Sequence, residues 1–174
     1  MITALAIHNR QRARSIDTRH LAKIIRTVTD KLLQSETVEL GIYLVGSARI
    51  TLLNESFLGH AGPTDVITFP YTDSRIVPKL WGEVFVCVPE AVEQSRHFRT
   101  SWQKEVVRYI IHGVLHLLGY DDHSKPDRAR MKRAENRLVA QVAARFDLGL
   151  IERKPGRKGP AARKPLDPQP PKRP

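Results

Sequence analysis

The alternation of strand-like and helix-like segments limits the folds that this chain can adopt. Apolar runs typical of strands lie at 1–8, 38–45, 66–69 and 82–88, and helical patterns lie between and after them. The resulting order is strand, helix, strand, helix, strand, strand and then three helices. This order predicts a single α+β domain in which about five helices cover a mixed four-stranded sheet.

Capping residues predict where these helices begin. An Asp or Ser side chain can accept a hydrogen bond from a free N–H of the first turn, and Pro fits that turn because its missing N–H loses nothing. Gly119 supplies a left-handed stop for the fourth helix. By these signals, helices run over 18–33 after Asp17, to about 57 after Ser47 as the cap, over 89–98 beginning at Pro89, over 102–118 after Ser101, and onward from about Ser124.

The composition changes near the C-terminus. Residues 153–174 contain eight Lys or Arg, one acid and seven of the twelve prolines, and they supply +7 of the formal net charge of +11. With almost nothing apolar to bury, this stretch is expected to be a disordered basic extension of a folded domain spanning 1–152. Two roles stay open for it, a solubilising tail and an arm that neutralises nucleic-acid phosphates.

Length and cysteine content narrow the class of protein. The 174 residues suit one domain, and no apolar run approaches the ~18 residues of a membrane span. The N-terminal segment is interrupted by charge too early for a signal peptide, so we expect a cytoplasmic protein without membrane contact. Cys87 is the only cysteine, which excludes a disulfide within the chain and a cysteine-rich zinc site.

The segment HGVLHLLGYDDH at 112–123 carries the strongest chemical signal. His112 and His116 are four residues apart on a predicted helix, so their rings share one face at a spacing that suits two zinc ligands. The turn after Gly119 can bring back Asp121, Asp122 or His123 as a third ligand. Three protein ligands leave a position for water, as in a metal-dependent hydrolase.

Other interpretations of the histidine segment are weaker. Two histidines at ligand spacing, with a glycine turn and a further histidine, are unusual for residues that only pack a helix. A calcium loop would need alternating oxygen ligands, which two adjacent aspartates do not supply. The peptidase pattern HExxHxxGxxH is close, but Gly113 stands where its general base would be, and the third histidine comes one residue late.

Three motifs resemble those of the YbeY family of bacterial endoribonucleases. HGVLHLLGYDDH resembles its signature HGxLHLxGYDH, LNESFLGHAGPTDVITFPY from Leu53 resembles LNxxyRxxDxPTDVLSFP, and LWGEVFVCV from Leu80 is similar to the strand LGDIxIS. The resemblance covers roughly residues 1–148. It implies a zincin-like metal helix and a metal-dependent endoribonuclease of single-stranded RNA. It also implies a role at the small ribosomal subunit, in maturation of the 3′ end of its RNA and in ribosome quality control.

By this resemblance one zinc ion per chain is bound by His112, His116 and His123. Counting from His116, however, the family's third histidine position holds Asp122, because YDDH has one extra residue. We expect His123 to be the ligand, since a turn after Gly119 can absorb one residue as a bulge and an imidazole preserves the charge of the site.

The second motif supplies candidate catalytic residues. Asp65 ends a loop before a strand and could hold a histidine or a water molecule, or simply bond its own backbone in a turn. Leu58 replaces the arginine usual in the family, and His60 could supply a cation instead. Arg96, His97 and Arg99 could meet phosphate or form a solvated helix end.

No general base and no oligomeric state can be named from the sequence. Two rival functions stay open beside the endoribonuclease. One is a metallopeptidase, and the other is a non-catalytic ribosome-assembly factor with a structural metal.

Overall fold

A four-stranded sheet forms the centre of the computed structural model, which describes residues 2–32, 38–71 and 80–153. The strands are β1 (Ile2–Asn9), β2 (Val38–Val45), β3 (Val66–Pro70) and β4 (Leu80–Cys87). They lie in the order β1-β2-β4-β3. Strands β1, β2 and β4 are parallel to one another, and β3 is antiparallel to β4. The predicted mixed four-stranded sheet is confirmed. The predicted C-terminal extension lies outside the described residues, except for Arg153.

Five α-helices occur in the described residues, as predicted. The first two helices, α1 (Thr18–Thr27) and α2 (Ser47–Leu53), each continue into a wider π-type turn, at Val28–Leu32 and at Asn54–Leu58. A short 3₁₀ turn follows the last helix. The helices are α1 (Thr18–Thr27), α2 (Ser47–Leu53), α3 (Val88–His97), α4 (Trp102–Leu117) and α5 (Lys125–Arg145).

Three of the predicted caps are present. The side chains of Asp17, Ser101 and Ser124 accept hydrogen bonds from backbone N–H groups in the first turns of α1, α4 and α5. The prediction for α2 was wrong, because Ser47 is its first helical residue and Gly46 takes the capping position. The backbone of Gly46 is extended, with φ −90° and ψ 170°, so the chain turns into the helix one residue earlier than expected.

The sheet has a different core on each face. Because side chains alternate across a strand, Leu40, Ile42 and Leu44 of β2 join the larger core with α1, α4 and α5. A smaller core on the other face contains Ile50 and Leu53 of α2 together with Val45, Ile67, Phe85 and Cys87. Residues from every described strand and α-helix contribute to these two cores, which agrees with one domain.

Two glycines let α4 lie close against the sheet. A Cβ atom on Gly113 would be 2.6 Å from Cγ1 of Val84 and 3.0 Å from Cγ2 of Thr68. A Cβ atom on Gly82 would be 2.5 Å from the backbone oxygen of Phe69 and 2.8 Å from Cδ2 of Leu117. Larger side chains at either position would push the helix away from β3 and β4.

The helices of the described part show no membrane-spanning segment. None of them combines the length and the apolar character needed to cross a bilayer.

Candidate metal centre

The last two turns of α4 bring the two predicted histidine ligands together. Nε2 of His112 and Nε2 of His116 are 3.1 Å apart, and the two rings are nearly perpendicular, at 76°. Both side chains are about one quarter exposed, at 25% and 28%. Solvent and a ligand can therefore reach the two nitrogens, while the helix that carries them is packed on the sheet.

The turn after α4 brings Asp122 back beside this pair. Gly119 has φ 86°, the left-handed conformation expected of a glycine stop, and its N–H donates to the carbonyl of His116. Oδ2 of Asp122 then lies 3.8 Å from Nε2 of His116 and 4.0 Å from Nε2 of His112. The neighbouring Asp121 stabilises the turn, because its Oδ1 accepts the N–H groups of Asp122 and His123.

His123 lies apart from the histidine pair in this arrangement. Its side chain is 91% exposed, and its Nε2 is 3.5 Å from Oδ1 of Asp121. The metal-compatible groups in the described part of the chain are His112–His116–Asp122 and Asp121–Asp122–His123. The expectation that His123 is the third ligand stays a prediction.

Hydrogen bonds assign the protonation of both histidine rings. Nδ1 of His112 donates to Oε2 of Glu135 at 2.9 Å, and Nδ1 of His116 donates to the carbonyl oxygen of Tyr120 at 3.1 Å. A carbonyl has no proton to give, so Nδ1 of His116 carries the hydrogen. In the neutral rings both Nε2 atoms therefore present lone pairs.

Three electron-rich atoms thus converge at one point. The two Nε2 lone pairs face each other at 3.1 Å, with the Asp122 carboxylate near both. Zinc–nitrogen bonds of roughly 2.0–2.1 Å in tetrahedral geometry separate ligand nitrogens by about 3.3 Å. The histidine pair meets that spacing as it stands, and a small rotation of the Asp122 side chain would complete a third position. The residues fit a divalent cation.

Burial affects the protonation of His116. Burial lowers the pKa of His116, and the adjacent His112 lowers it further, against the opposing effect of Asp122. A neutral imidazole is the form that binds a metal. The lowered pKa therefore keeps His116 in its ligating form to a lower pH than usual.

Glu135 of α5 is a buried partner of the site that the sequence analysis missed. It is only 3% exposed, and its second carboxylate oxygen accepts a 2.6 Å bond from Nη1 of Arg108. Burial alone would raise the pKa of Glu135, but the hydrogen bonds from His112 and Arg108 outweigh it, and the pKa is lowered. Glu135 thus stays ionised and orients the ring of His112. The signal was present, because Glu135 falls between Met131 and Leu138 on the inward-facing side of a predicted helix.

A cleft of about 670 Å³ adjoins His112. Its walls are the loop 63–65, α3, α4 and α5, and they include His112, Glu135 and Lys132. Asp65 also lines this cleft, and its Oδ1 accepts bonds from the Val66 N–H and the Thr64 hydroxyl. Asp65 therefore makes the local turn bonds that its sequence allowed and also lies at the cleft, and its catalytic role stays a prediction.

The remaining candidates lie outside the walls of this cleft. The side chain of His60 is exposed, and its backbone N–H donates a hydrogen bond to the carbonyl of Asn54. Leu58 is also exposed. Arg96 forms a surface ion pair with Glu93 at 3.3 Å, and His97 and Arg99 are exposed on the turn that ends α3. The structure does not bring these side chains to the histidines.

The fold and the site define an α+β protein whose central helix carries a candidate metal centre. The chain matches the model of the family described as Endoribonuclease YbeY over residues 6–143, and it belongs to that family. The recognition made from its motifs is confirmed.

Similar proteins span most of the chain. An Endoribonuclease YbeY of Chlorobium luteolum is 37% identical over 141 residues, which cover 79% of this chain and 97% of that relative. Another from Protochlamydia amoebophila is 35% identical over 143 residues, 82% of this chain and 95% of the relative. The solution structure of TM1509 from Thermotoga maritima has a TM-score of 0.56 and 25% identity, and the match covers 89% of this chain and all of that one.

Proposed function

We propose that this protein is a metal-dependent endoribonuclease of single-stranded RNA, with the metal bound by His112 and His116. The observation that carries the proposal is the convergence of two unprotonated Nε2 atoms and a carboxylate next to an open cleft. Facing lone pairs repel each other unless a metal ion or a proton lies between them, and a metal ion would also engage the Asp122 carboxylate. Membership of a family named for endoribonuclease activity supports RNA as the substrate.

The ion would supply the reactive chemistry, and the chain would supply its position. When bound, a zinc ion acts as a Lewis acid that makes water or a hydroxyl group more acidic and offsets charge developing on phosphate. His112 and His116 would hold the ion, and Glu135 would fix the orientation of the His112 ring. The cleft beside them has room for the nucleotides that flank the cleaved bond.

For the third ligand we favour Asp122 over the expected His123. The Asp122 carboxylate is within 4.0 Å of both Nε2 atoms, whereas the His123 ring faces Asp121 and solvent. Aspartate is an ordinary zinc ligand. His123 could ligate only if the turn 120–123 rearranged.

Metal titration of two alanine variants decides between these ligands. Asp122→Ala should weaken zinc binding far more than His123→Ala, measured by competition with a chromophoric chelator. The reverse order would make His123 the ligand, as the sequence comparison with the family suggested.

A single assay separates the proposed activity from its rivals. The purified protein should cleave single-stranded RNA but not casein, and a chelator should abolish the cleavage. His116→Ala should lose both metal and cleavage while its melting temperature stays close to that of the wild-type apoprotein. Cleavage of casein would support a metallopeptidase. Bound metal without RNA cleavage would support a non-catalytic assembly factor.

The structure gives a reason to rank the peptidase lower. Position 113, which holds the general base in the peptidase pattern, is buried against Val84 and Thr68 and has no space for a glutamate. A base at that position could not face the metal without displacing α4 from the sheet.

The proposed cellular role is maturation of the small-subunit ribosomal RNA 3′ end and ribosome quality control, in the cytoplasm and in contact with the small subunit. The likeness of the three sequence motifs to the YbeY family supports this role. Cells whose only copy carries His116→Ala should accumulate RNA with an unprocessed 3′ end, detected by end mapping. Normal ends in such cells would contradict the role.

A further inference from the structure

The positive charge of residues 1–152 is concentrated on one helix. Their formal net charge is +4. Helix α5 contains seven Lys or Arg and two acids. The other residues of this range contain 14 Lys or Arg against 15 acids, so without α5 the range would be slightly negative.

The cations of α5 face solvent, whereas one of its acids is buried. Glu135 is buried and paired with Arg108, and Asp127 serves the N-terminal cap of the helix. Among the described residues, the ion pair from an α5 cation to a carboxylate is that of Lys132 with Glu135, at 3.7 Å. The exposed cations are Lys125, Arg128, Arg130, Lys132, Arg133, Arg137 and Arg145.

This basic face begins at the candidate metal centre. Nε of Arg128 donates to the backbone oxygen of Asp122 at 3.2 Å, and the guanidinium of Arg130 lies 5.4 Å from the centre of the Tyr120 ring. Lys132 lines the cleft next to His112. Arg133 and Arg137 continue the face from Arg130, on the side of α5 away from Arg128 and Lys132, and they are one helical turn apart, about 6 Å along the axis.

Carboxylates surround much of the site, so a bound polyanion would depend on α5 for positive charge. Asp65, Glu90 and Glu105 line the cleft, and Asp122 lies at the histidines. The guanidinium of Arg108 bonds to Glu105 and Glu135, so its charge is already balanced. A polyanion that approaches the cleft meets carboxylates on one side and α5 on the other.

We propose that the exposed basic face of α5 binds the phosphates of the RNA strand that flanks the cleaved bond. The identification of the polyanion as RNA rests on the proposed function. The surface itself is assigned from charge complementarity and from its continuity with the site. RNA that leaves the site would follow α5 from Arg130 beside Tyr120 toward Arg133 and Arg137.

The test removes two positive charges of this face on α5, and its effect on RNA binding is compared with the effect of removing two positive charges on α1. Arg133→Gln/Arg137→Gln is the test variant, because these side chains have no described contact with the histidines. Lys23→Gln/Arg26→Gln on α1 is the matched control, since both side chains are exposed and α1 does not line the cleft. Binding of a fluorescent single-stranded RNA 20-mer to metal-free protein is measured by anisotropy across a salt series, after thermal melting has shown that both variants are folded.

We expect the salt slope of the test variant to fall by about 1.4, since each phosphate contact on a single strand contributes ~0.7. If the proteins bind alike at 1 M salt, the variant should bind roughly 25-fold more weakly at 0.1 M. The α1 control should keep the wild-type slope. An equal loss in both variants, or no loss in either, would overturn the assignment. So would α5-dependent binding to anionic vesicles without any effect on RNA.

Failure of the proposed function can be distinguished in the same experiment. Binding is measured without metal, so it does not depend on catalysis. If α5-dependent RNA binding is found but the metal-loaded wild type cleaves no RNA, the docking surface stands and the proposed activity is wrong.

Discussion

At the scale of single residues, the site depends on which nitrogen of each histidine carries the proton. Glu135 and the carbonyl of Tyr120 accept the two Nδ1 hydrogens, which leaves both Nε2 atoms free to bind a cation. Outer partners of this kind fix ring orientation and raise the basicity of the ligand. The buried carboxylate of Glu135 is therefore as much part of the candidate site as the two rings.

Glu135→Gln tests this role with a side chain of nearly the same shape. The neutral amide removes the charge that favours the His112 ring as a donor, so zinc affinity should fall on the order of 10- to 100-fold. The measurement is zinc titration against a competing chelator. Glu93→Gln is the control, because Glu93 pairs with Arg96 on the surface, where both side chains are more than two thirds exposed. Equal zinc affinity in wild type and Glu135→Gln would show that Glu135 only packs.

Gly113 affects both the packing of α4 and the choice between an endoribonuclease and a peptidase. Any Cβ at this position would lie within 3.0 Å of atoms of Val84 and Thr68, so packing requires glycine. The glycine that counts against a peptidase is thus also the residue that lets α4 pack closely on the sheet. The missing general base and the lack of space for a larger side chain both count against a peptidase.

At the scale of elements, α1 is positioned by its cap. Oδ1 of Asp17 accepts the N–H groups of Arg19 and His20, both at 3.0 Å, and the Asp17 N–H donates to the carbonyl of Ile151. These bonds join the start of α1 to the segment that follows α5. The hydrogen bond from His20 and that from Arg19 favour the ionised carboxylate over the desolvation that opposes it, so the pKa of Asp17 is lowered from 3.8.

We expect Asp17→Ala to destabilise the fold by about 1 kcal/mol at neutral pH, the usual effect of losing such a cap. Because the folded-state pKa is lowered, this stability is fully present above 3.8 and is lost as the pH falls through the lower folded value. Urea unfolding of both proteins over a pH series measures the difference. It should shrink in acid, whereas a difference that stays constant at every pH would contradict the cap as its source.

At the scale of the whole molecule, the net positive charge comes from two regions, α5 and residues 153–174. The second group supplies +7 of the net +11. Deleting residues 153–174 should weaken binding of long RNA or of the ribosome and reduce the salt slope, because counterion release scales with the number of phosphates neutralised. Cleavage of a short oligonucleotide at saturation should be similar. A truncated protein with an unchanged slope would show that this stretch only aids solubility.

The two basic regions can be told apart by combining changes. If α5 and the C-terminal stretch bind separate phosphates, the losses in salt slope from the deletion and from Arg133→Gln/Arg137→Gln should add. If the two losses in salt slope do not add, both regions compete for the same segment of RNA.

By itself, the sequence determined the local features of this protein. The strands, the helices, most of the caps and the glycine stop after α4 depend on neighbouring residues, and so does the pairing of His112 with His116 four residues on. The motifs also identified the family, because they are short runs of sequence. The capping position of α2 was misjudged by one residue, since an extended glycine and a serine are both acceptable there.

Only the tertiary structure decided the features that depend on residues far apart in the chain. The sequence could not place β4 between β2 and β3, select Glu135 as the partner of His112, or reveal that Gly113 lies against Val84. It also could not show which acid of the turn approaches the histidines, and here the structure places Asp122 there. The physical reason is the same in each case. Contacts across the sheet and between helices are made after the chain has folded back on itself, and no local pattern records which side chains then meet.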